Sequence, residues 1–225
     1  VYSHQLASLA RVTPAQVRPS GARAQVQGTV TTLTSLDAEA LRDEIPQVVA
    51  AAPWASRRLP VKYVGSSATT NVLGVAPEVL EILNLSPATG TFYTDREEVT
   101  GGRTAVLGPA VARALFGEEP PVGHRILVGQ VPFEVIGVLR PRGADLSGAD
   151  QDDVVMIPLR TALRRVLNQE WLGGIYLRAR GLSETEARAM LTHAFAADVL
   201  ARLPTDALRA ALTQVPAEWF PAVEN

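Results

Sequence analysis

GGRTAVLGPAVARALFGEEPPVGHRILVGQVPFEVIGVLRPR, Gly101 to Arg142, is the stretch whose signals follow one another without a gap. Thr104 to Leu107 predicts a strand. Pro109 follows Gly108 directly, where its fixed φ suits the first helical position, and Gly117 stands where a left-handed residue would end the helix. Val111, Leu115 and Phe116 would then share one face. Glu118 to Gly123, with Pro120 and Pro121 adjacent, cannot continue a helix and forces an extended connector. Arg125 to Val128 and Val131 to Leu139 predict the arms of a hairpin joined at Gly129-Gln130, where Gly at the first turn position allows type II′ geometry. Pro132 has no N–H for a ladder, so its arm should begin at an edge. The whole reads as one small α/β unit, and no catalytic constellation sits in it.

Upstream, Val1 to Gly28 carries small apolar residues without firm period, punctuated by Pro14, Pro19 and Gly21, and is read as a loosely ordered lead-in. Ala24 to Leu33 alternates as a strand. Thr34 with Asp37 forms a T-x-x-D capping box, Ala38, Leu41 and Ile45 follow at helical spacing, and Pro46 stops the helix. Val48 to Trp54 is a short apolar run between breakers, best a buried strand completing a β-α-β unit. Arg57, Arg58 and Pro60 mark a turn before a strand Val61 to Val64, and Gly65-Ser66-Ser67 another before Thr69 to Val75. Pro77 opens a short helix that Pro87 to Gly90 closes.

Downstream, Val154 to Ile157 predicts the unit's last strand. Gly174 to Ala179 predicts another, and Ser183 with Glu186 a second capping box. Ala187, Met190, Leu191, Ala194 and Phe195 then lie at amphipathic spacing. Two strand-then-capped-helix units flanking an inserted α/β unit predict an α+β protein of two subdomains. One is discontinuous, built of residues 1–75 and 160–225; residues 76–159 are inserted into it.

Composition narrows the function. With 225 residues, 47% of them hydrophobic, the chain can bury a real core. It has no apolar run near the roughly 20 residues that span a bilayer and no signal-peptide pattern at Val1, so it is read as a segment of a longer protein. The absence of cysteine removes disulfides and thiolate metal sites. The 21 basic residues nearly balance the 23 acidic ones, Lys62 is the only lysine, and aromatics are 5%. Nucleic-acid binding, which needs a basic stripe with stacking platforms, is not expected.

The run AVLGPAVARALFGEEPPVGHRILVGQVPFEVIGVLRPRG resembles the signature of the MacB-type periplasmic core domain, the extracytoplasmic region between the first two transmembrane helices of an ABC-transporter permease. TNVLGVAPEVLEILNLSPATGTFYTDREEV (Thr70 to Val99) and DQDDVVMIPLRTALRRV (Asp150 to Val166) fit the same family in the same order. The resemblance runs from about Leu33 to about Phe195. It implies that the discontinuous subdomain is porter-like, that the lead-in descends from a membrane helix, and that the domain lies on the periplasmic or extracytoplasmic face of the cell membrane. Its implied partners are the transmembrane helices and ATPase domain of the same transporter, a second copy in a homodimer, and a periplasmic adaptor.

Catalysis is not expected. Nucleotide hydrolysis would need a G-x-x-x-x-G-K-[ST] loop, and the sole lysine sits in a predicted strand. Ser66, Ser67 and Ser147 lack a nucleophile-elbow frame, and His4, His124 and His193 are scattered. No cofactor is implied. The acidic loop carries the metal candidates Asp150, Asp152 and Asp153, with oxygen ligands of the kind hard cations take. It lacks the D-x-D-x-D-G-x5-E framework. The competing reading is a solvated loop in which Asp150 or Asp152 caps backbone amides and pairs with Arg140, Arg142 or Arg160. Arg160, Arg164 and Arg165 share part of a helix face and read as a wet face or as a contact for an anionic partner. Trp219 and Phe220 read as interfacial anchors or as packing residues.

The expected function is therefore transmission of ATP-driven conformational change during efflux. The hinge candidates are the two crossings between subdomains, at Gly74, Pro77 and Pro158. The alternative is a module that binds or senses a peptide, lipoprotein or small hydrophobic molecule in the cleft between subdomains.

Overall fold

The long strands β2 (Val48–Tyr63) and β3 (Ser66–Val75) are the spine of the molecule, antiparallel from Trp54↔Val75 to Tyr63↔Ser66. This computed structural model describes residues 7–12, 33–44, 46, 48–144 and 150–180. All of these lie in the first of two units, Val1–Gly181 and Leu182–Asn225. Most of the Ala24 to Leu33 strand, the Ala187 to Phe195 helix, His4, His193, Trp219 and Phe220 fall outside the described residues.

The other elements follow in chain order. β1 is Ala7–Val12, α1 Ser35–Glu44, α2 Val79–Ile82, β4 Pro87–Gly90 and α3 Asp95–Thr100. β5 is Thr104–Leu107, α4 Pro109–Phe116, β6 Arg125–Val128 and β7 Val131–Leu139. β8 is Val154–Pro158, running directly into α5 (Leu159–Thr161), a π-helical turn Ala162–Leu167, and β9 (Gly174–Arg180). The sheet order is β1-β9-β2-β3-β8-β5-β7-β4, with β6 bridging β7 and β2. Pairs β3–β8 and β5–β7 are parallel and the rest antiparallel, a mixed sheet with short helices, as an α+β chain should have.

The pairing closes on itself. β2 pairs β3, β3 pairs β8, β8 pairs β5, β5 pairs β7, β7 pairs β6, and β6 returns to β2 at Val61↔Val128. Each ring member is thereby paired on both edges over part of its length, β2 keeping a stretch from Ala55 to Pro60 without a strand partner on one edge, and α4 packs across the ring against β2, β3, β7 and β8. One apolar cluster joins Trp54, Leu73, Val75, Val106, Leu139 and Met156 to Val79 and Ile82 of α2 and to Tyr93.

The Gly101 to Arg142 unit follows its local signals. Pro109 opens α4, which buries Val111, Ala112, Leu115 and Phe116. Gly129 takes φ +61° and Gln130 stays at negative φ, the sign pattern of a type II′ turn. Pro132 precedes the pairing of β7 with β5, which begins only at Glu134. Gly117 does end α4 at positive φ, but with ψ −114° rather than the left-handed helical value.

Four readings are corrected. Residues 57–60 are no turn: β2 runs straight through them, because no strand pairs with its edge facing away from β3 between Trp54 and Val61, where the Pro60 carbonyl accepts from Gly129 N–H and the missing N–H of Pro60 forfeits no ladder bond. Pro87 to Gly90 is not only a breaker but an edge strand on β7. The lead-in holds β1, antiparallel to β9 from Ala7↔Arg180 to Val12↔Ile175. Ser66 and Ser67 belong to β3, so the β2–β3 turn is only Val64-Gly65, both at positive φ.

Candidate functional site

The three hinge candidates stand around one place. β3 and β8 run parallel with Gly74 opposite Ile157 and Val75 opposite Pro158, so the two crossings leave the sheet side by side. Gly74 is in ordinary extended backbone; what requires glycine is close approach, because a Cβ there would lie 2.1 Å from the Ala162 Cβ. Pro77 begins the turn into α2, where its carbonyl accepts from Leu80 N–H at 3.1 Å. Pro158 ends β8 and precedes the first N–H groups of α5.

The residues after β4 fasten this place. Tyr93 is buried, and its hydroxyl lies 2.8 Å from the Val75 carbonyl oxygen and 3.1 Å from that of Ile157. Burial holds the phenol neutral, pushing its pKa well up. Glu98 accepts from Leu159 N–H at 2.7 Å and from Arg160 N–H at 2.9 Å, satisfying amides that the start of a helix leaves without partners. Arg160 in turn donates to the Val99 carbonyl and Thr161 to that of Gly102, each at 2.8 Å. Neither Tyr93 nor Glu98 was singled out from sequence. The Thr94-x-x-Glu97 capping box that starts α3 was a usable signal for the helix that carries Glu98.

The acidic loop is occupied by the protein itself. Asp152 is buried and accepts from Arg142 N–H at 2.8 Å and Gly143 N–H at 3.2 Å. Asp150 accepts from Asp152 N–H at 2.8 Å. Asp153, for which the sequence named no partner, pairs with Arg58 at 3.2 Å. Among the described residues no three His, Cys, Asp or Glu converge as a ligand set. The amide capping expected of Asp150 and Asp152 is present, but Asp152 is buried rather than solvated, and among the described residues no ion pair joins either carboxylate to Arg140, Arg142 or Arg160.

At the far end of β2, Tyr63 stacks on Phe116 with centroids 4.1 Å apart. The Tyr63 hydroxyl lies 3.0 Å from His124 Nδ1 and 3.1 Å from a Glu119 oxygen, and His124 Nε2 stands 3.4 Å from that carboxylate. Beside them is an open depression of about 600 Å³, bounded by the Val64 turn and the end of α4. Arg164 and Arg165 are exposed on the π-helical turn.

The family described as MacB-like periplasmic core domain matches residues 2–194 of the chain. The macrolide export ATP-binding/permease protein MacB of Wolinella succinogenes is 32% identical over 173 residues, which are 76% of this chain and 27% of that protein. The pyoverdine export ATP-binding/permease protein PvdT of Pseudomonas entomophila is 33% identical over 159 residues, 69% of this chain and 24% of that protein. The chain thus spans about a quarter of the length of these curated relatives. Among solved structures, the periplasmic region of MacB from Actinobacillus actinomycetemcomitans superposes with a TM-score of 0.64 at 22% identity, covering 74% of each chain.

Proposed function

The chain belongs to the MacB-like periplasmic core domain family, and on that premise we propose that it is the extracytoplasmic domain of an ABC-transporter permease, transmitting ATP-driven conformational change during export. The observation that carries this reading is the family match over residues 2–194, joined to relatives named as export ATP-binding/permease proteins. ATP hydrolysis then belongs to the remaining three quarters of such a protein, with transmembrane helices, a second copy and a periplasmic adaptor as the domain's partners. No described helix is long and apolar enough to cross a membrane.

A transmitting domain needs stiff bodies and a junction with two arrangements, because an input shifts an equilibrium only through contacts that differ between states. The ring closed by β6 supports the first requirement as one stiff body, since it joins β2 and β3 to β5, β6, β7 and β8. For the second we assign the crossings at Gly74 to Pro77 and at Pro158, a division at which α2 and α5 leave that ring. Glu81 of α2 and Arg178 of β9 form an ion pair across that division. The test replaces both by cysteine in the parent transporter, this chain having none of its own, and joins them with a short bis-methanethiosulfonate, which links each thiol through a reducible disulfide. Export should stop on cross-linking and return on reduction; unimpaired export by the linked protein would overturn the reading.

A further inference from the structure

We propose that residues Tyr93 to Gly102 form a detachable clasp over the two crossings, with Glu98 as its pin. The inference rests on the transmission reading for its role and on local geometry for its existence.

The helix α3 buries none of its residues, and Val99 is 64% exposed. Apolar packing therefore does not hold it down, whereas α4 of similar length buries four residues. What fastens the segment is polar and concentrated on three consecutive residues: the Leu159 and Arg160 amides on Glu98, the Arg160 guanidinium on the Val99 carbonyl, and the Thr161 hydroxyl on the Gly102 carbonyl. Segments with few buried apolar contacts occupy the low end of local opening free energies. At its other end Tyr93 is buried in the core beneath the crossings. The strap is thus anchored at one end and pinned at the other.

Its position gives the pin leverage. Pro158 has no N–H, so the first two amides after β8 are those of Leu159 and Arg160, and Glu98 takes both. The π-helical turn follows at once, a geometry common at functional sites. While the pin is in, the first two amides of α5 are tied to α3; when it is out, they lose that acceptor, and the tie rests on the Arg160–Val99 and Thr161–Gly102 bonds with Tyr93 beneath.

Amide hydrogen exchange on the 225-residue chain tests this, comparing the native protein with Glu98→Ala and with the milder Glu98→Gln. Loss of a charge-assisted acceptor should speed exchange at Leu159 and Arg160 by about tenfold or more. Exchange in the interiors of β3 and β8 should stay unchanged, with Glu98→Gln intermediate. No change at the two amides in either variant would overturn the clasp. So would a rise that β3 and β8 share, since the segment would then open only with the core. The readout involves this chain alone: a selective rise together with an unimpaired cross-linked exporter would keep the clasp and remove only its role in transport.

Discussion

Gly74 faces Ala162 so closely that the two cannot both carry a methyl group, the space for a Cβ on Gly74 lying 2.1 Å from the Ala162 Cβ. A Cβ position is set by its backbone and has no rotamer, so the contact could be relieved only by moving the chain. Gly74→Ala should destabilise the domain by about 1–3 kcal/mol, the usual range for overpacking. Adding Ala162→Gly should restore much of the loss, a coupling that a urea-unfolding double-mutant cycle would read directly.

Tyr93 serves two carbonyls with one proton. Removing its hydroxyl leaves the Val75 and Ile157 oxygens without that partner in a buried site. Tyr93→Phe keeps the ring in place, stacked on Phe92 at 4.2 Å, and should cost about 1–3 kcal/mol. Equilibrium unfolding measures it; a neutral substitution would mean that the sheet pairing already satisfies both oxygens.

Val64 is a β-branched residue at φ +30° in a two-residue turn, where Asn, Asp or Gly is preferred. At 86% exposure it gains almost nothing from packing. Val64→Asn should therefore stabilise the β2–β3 hairpin by about 1 kcal/mol, seen as a higher melting temperature. An unchanged or lowered value would show the turn to be held by something other than its own backbone preference.

These sites differ in how far the sequence discloses them. Pro109, Gly117 and Gly129 act through their own φ, so α4 and the β6–β7 hairpin could be read locally. The α1 cap is similar, since Asp37 accepts from the N–H and hydroxyl of Thr34 at 2.6 and 2.8 Å. Pro60 and Pro87 misled because the cost of a proline in a strand depends on which edge has a neighbour, and that is decided by β6, β7 and β9 far along the chain. Gly74 and Pro158 were each visible as breaks. That they stand in adjacent strands, with Tyr93 and Glu98 fastening them, follows from the β3–β8 register, which no local signal carries. Asp153 shows the same limit: its partner Arg58 lies 95 residues away.

Asp152 holds the loop between β7 and β8 by accepting two backbone N–H groups while itself buried. Asp152→Ala strands both donors and should cost about 1–3 kcal/mol. Because the carboxylate is engaged by amides, the loss should be equal in chelator and in millimolar Ca²⁺. A calcium-dependent rise in the melting temperature of the native chain, absent from the variant, would return Asp150, Asp152 and Asp153 to the role of ligands.

Glu97 and Glu98 are neighbours on α3 with opposite titration behaviour. Glu97 accepts from the Thr94 hydroxyl and N–H, and these bonds hold its carboxyl below the ordinary value near 4.5. Its contribution to stability is present above the ordinary value and is lost as pH falls through the depressed one. Glu98 is pushed up, first by burial and further by Glu78, although the Arg160 and Leu159 amides and the Arg160 charge pull the other way. A raised carboxyl pKa means the folded state holds the proton more tightly, so its contribution is full below the ordinary value and is lost as pH rises through the raised one. Unfolding free energies of the native chain, Glu97→Gln and Glu98→Gln across pH 3 to 7 should show it, on the order of a unit or two either side of the reference value. The native advantage over Glu97→Gln should grow with pH, and that over Glu98→Gln should shrink. Parallel trends in the two variants would mean that the amides of α5 outweigh the burial of Glu98, and that the pin is held more firmly at neutral pH than in acid.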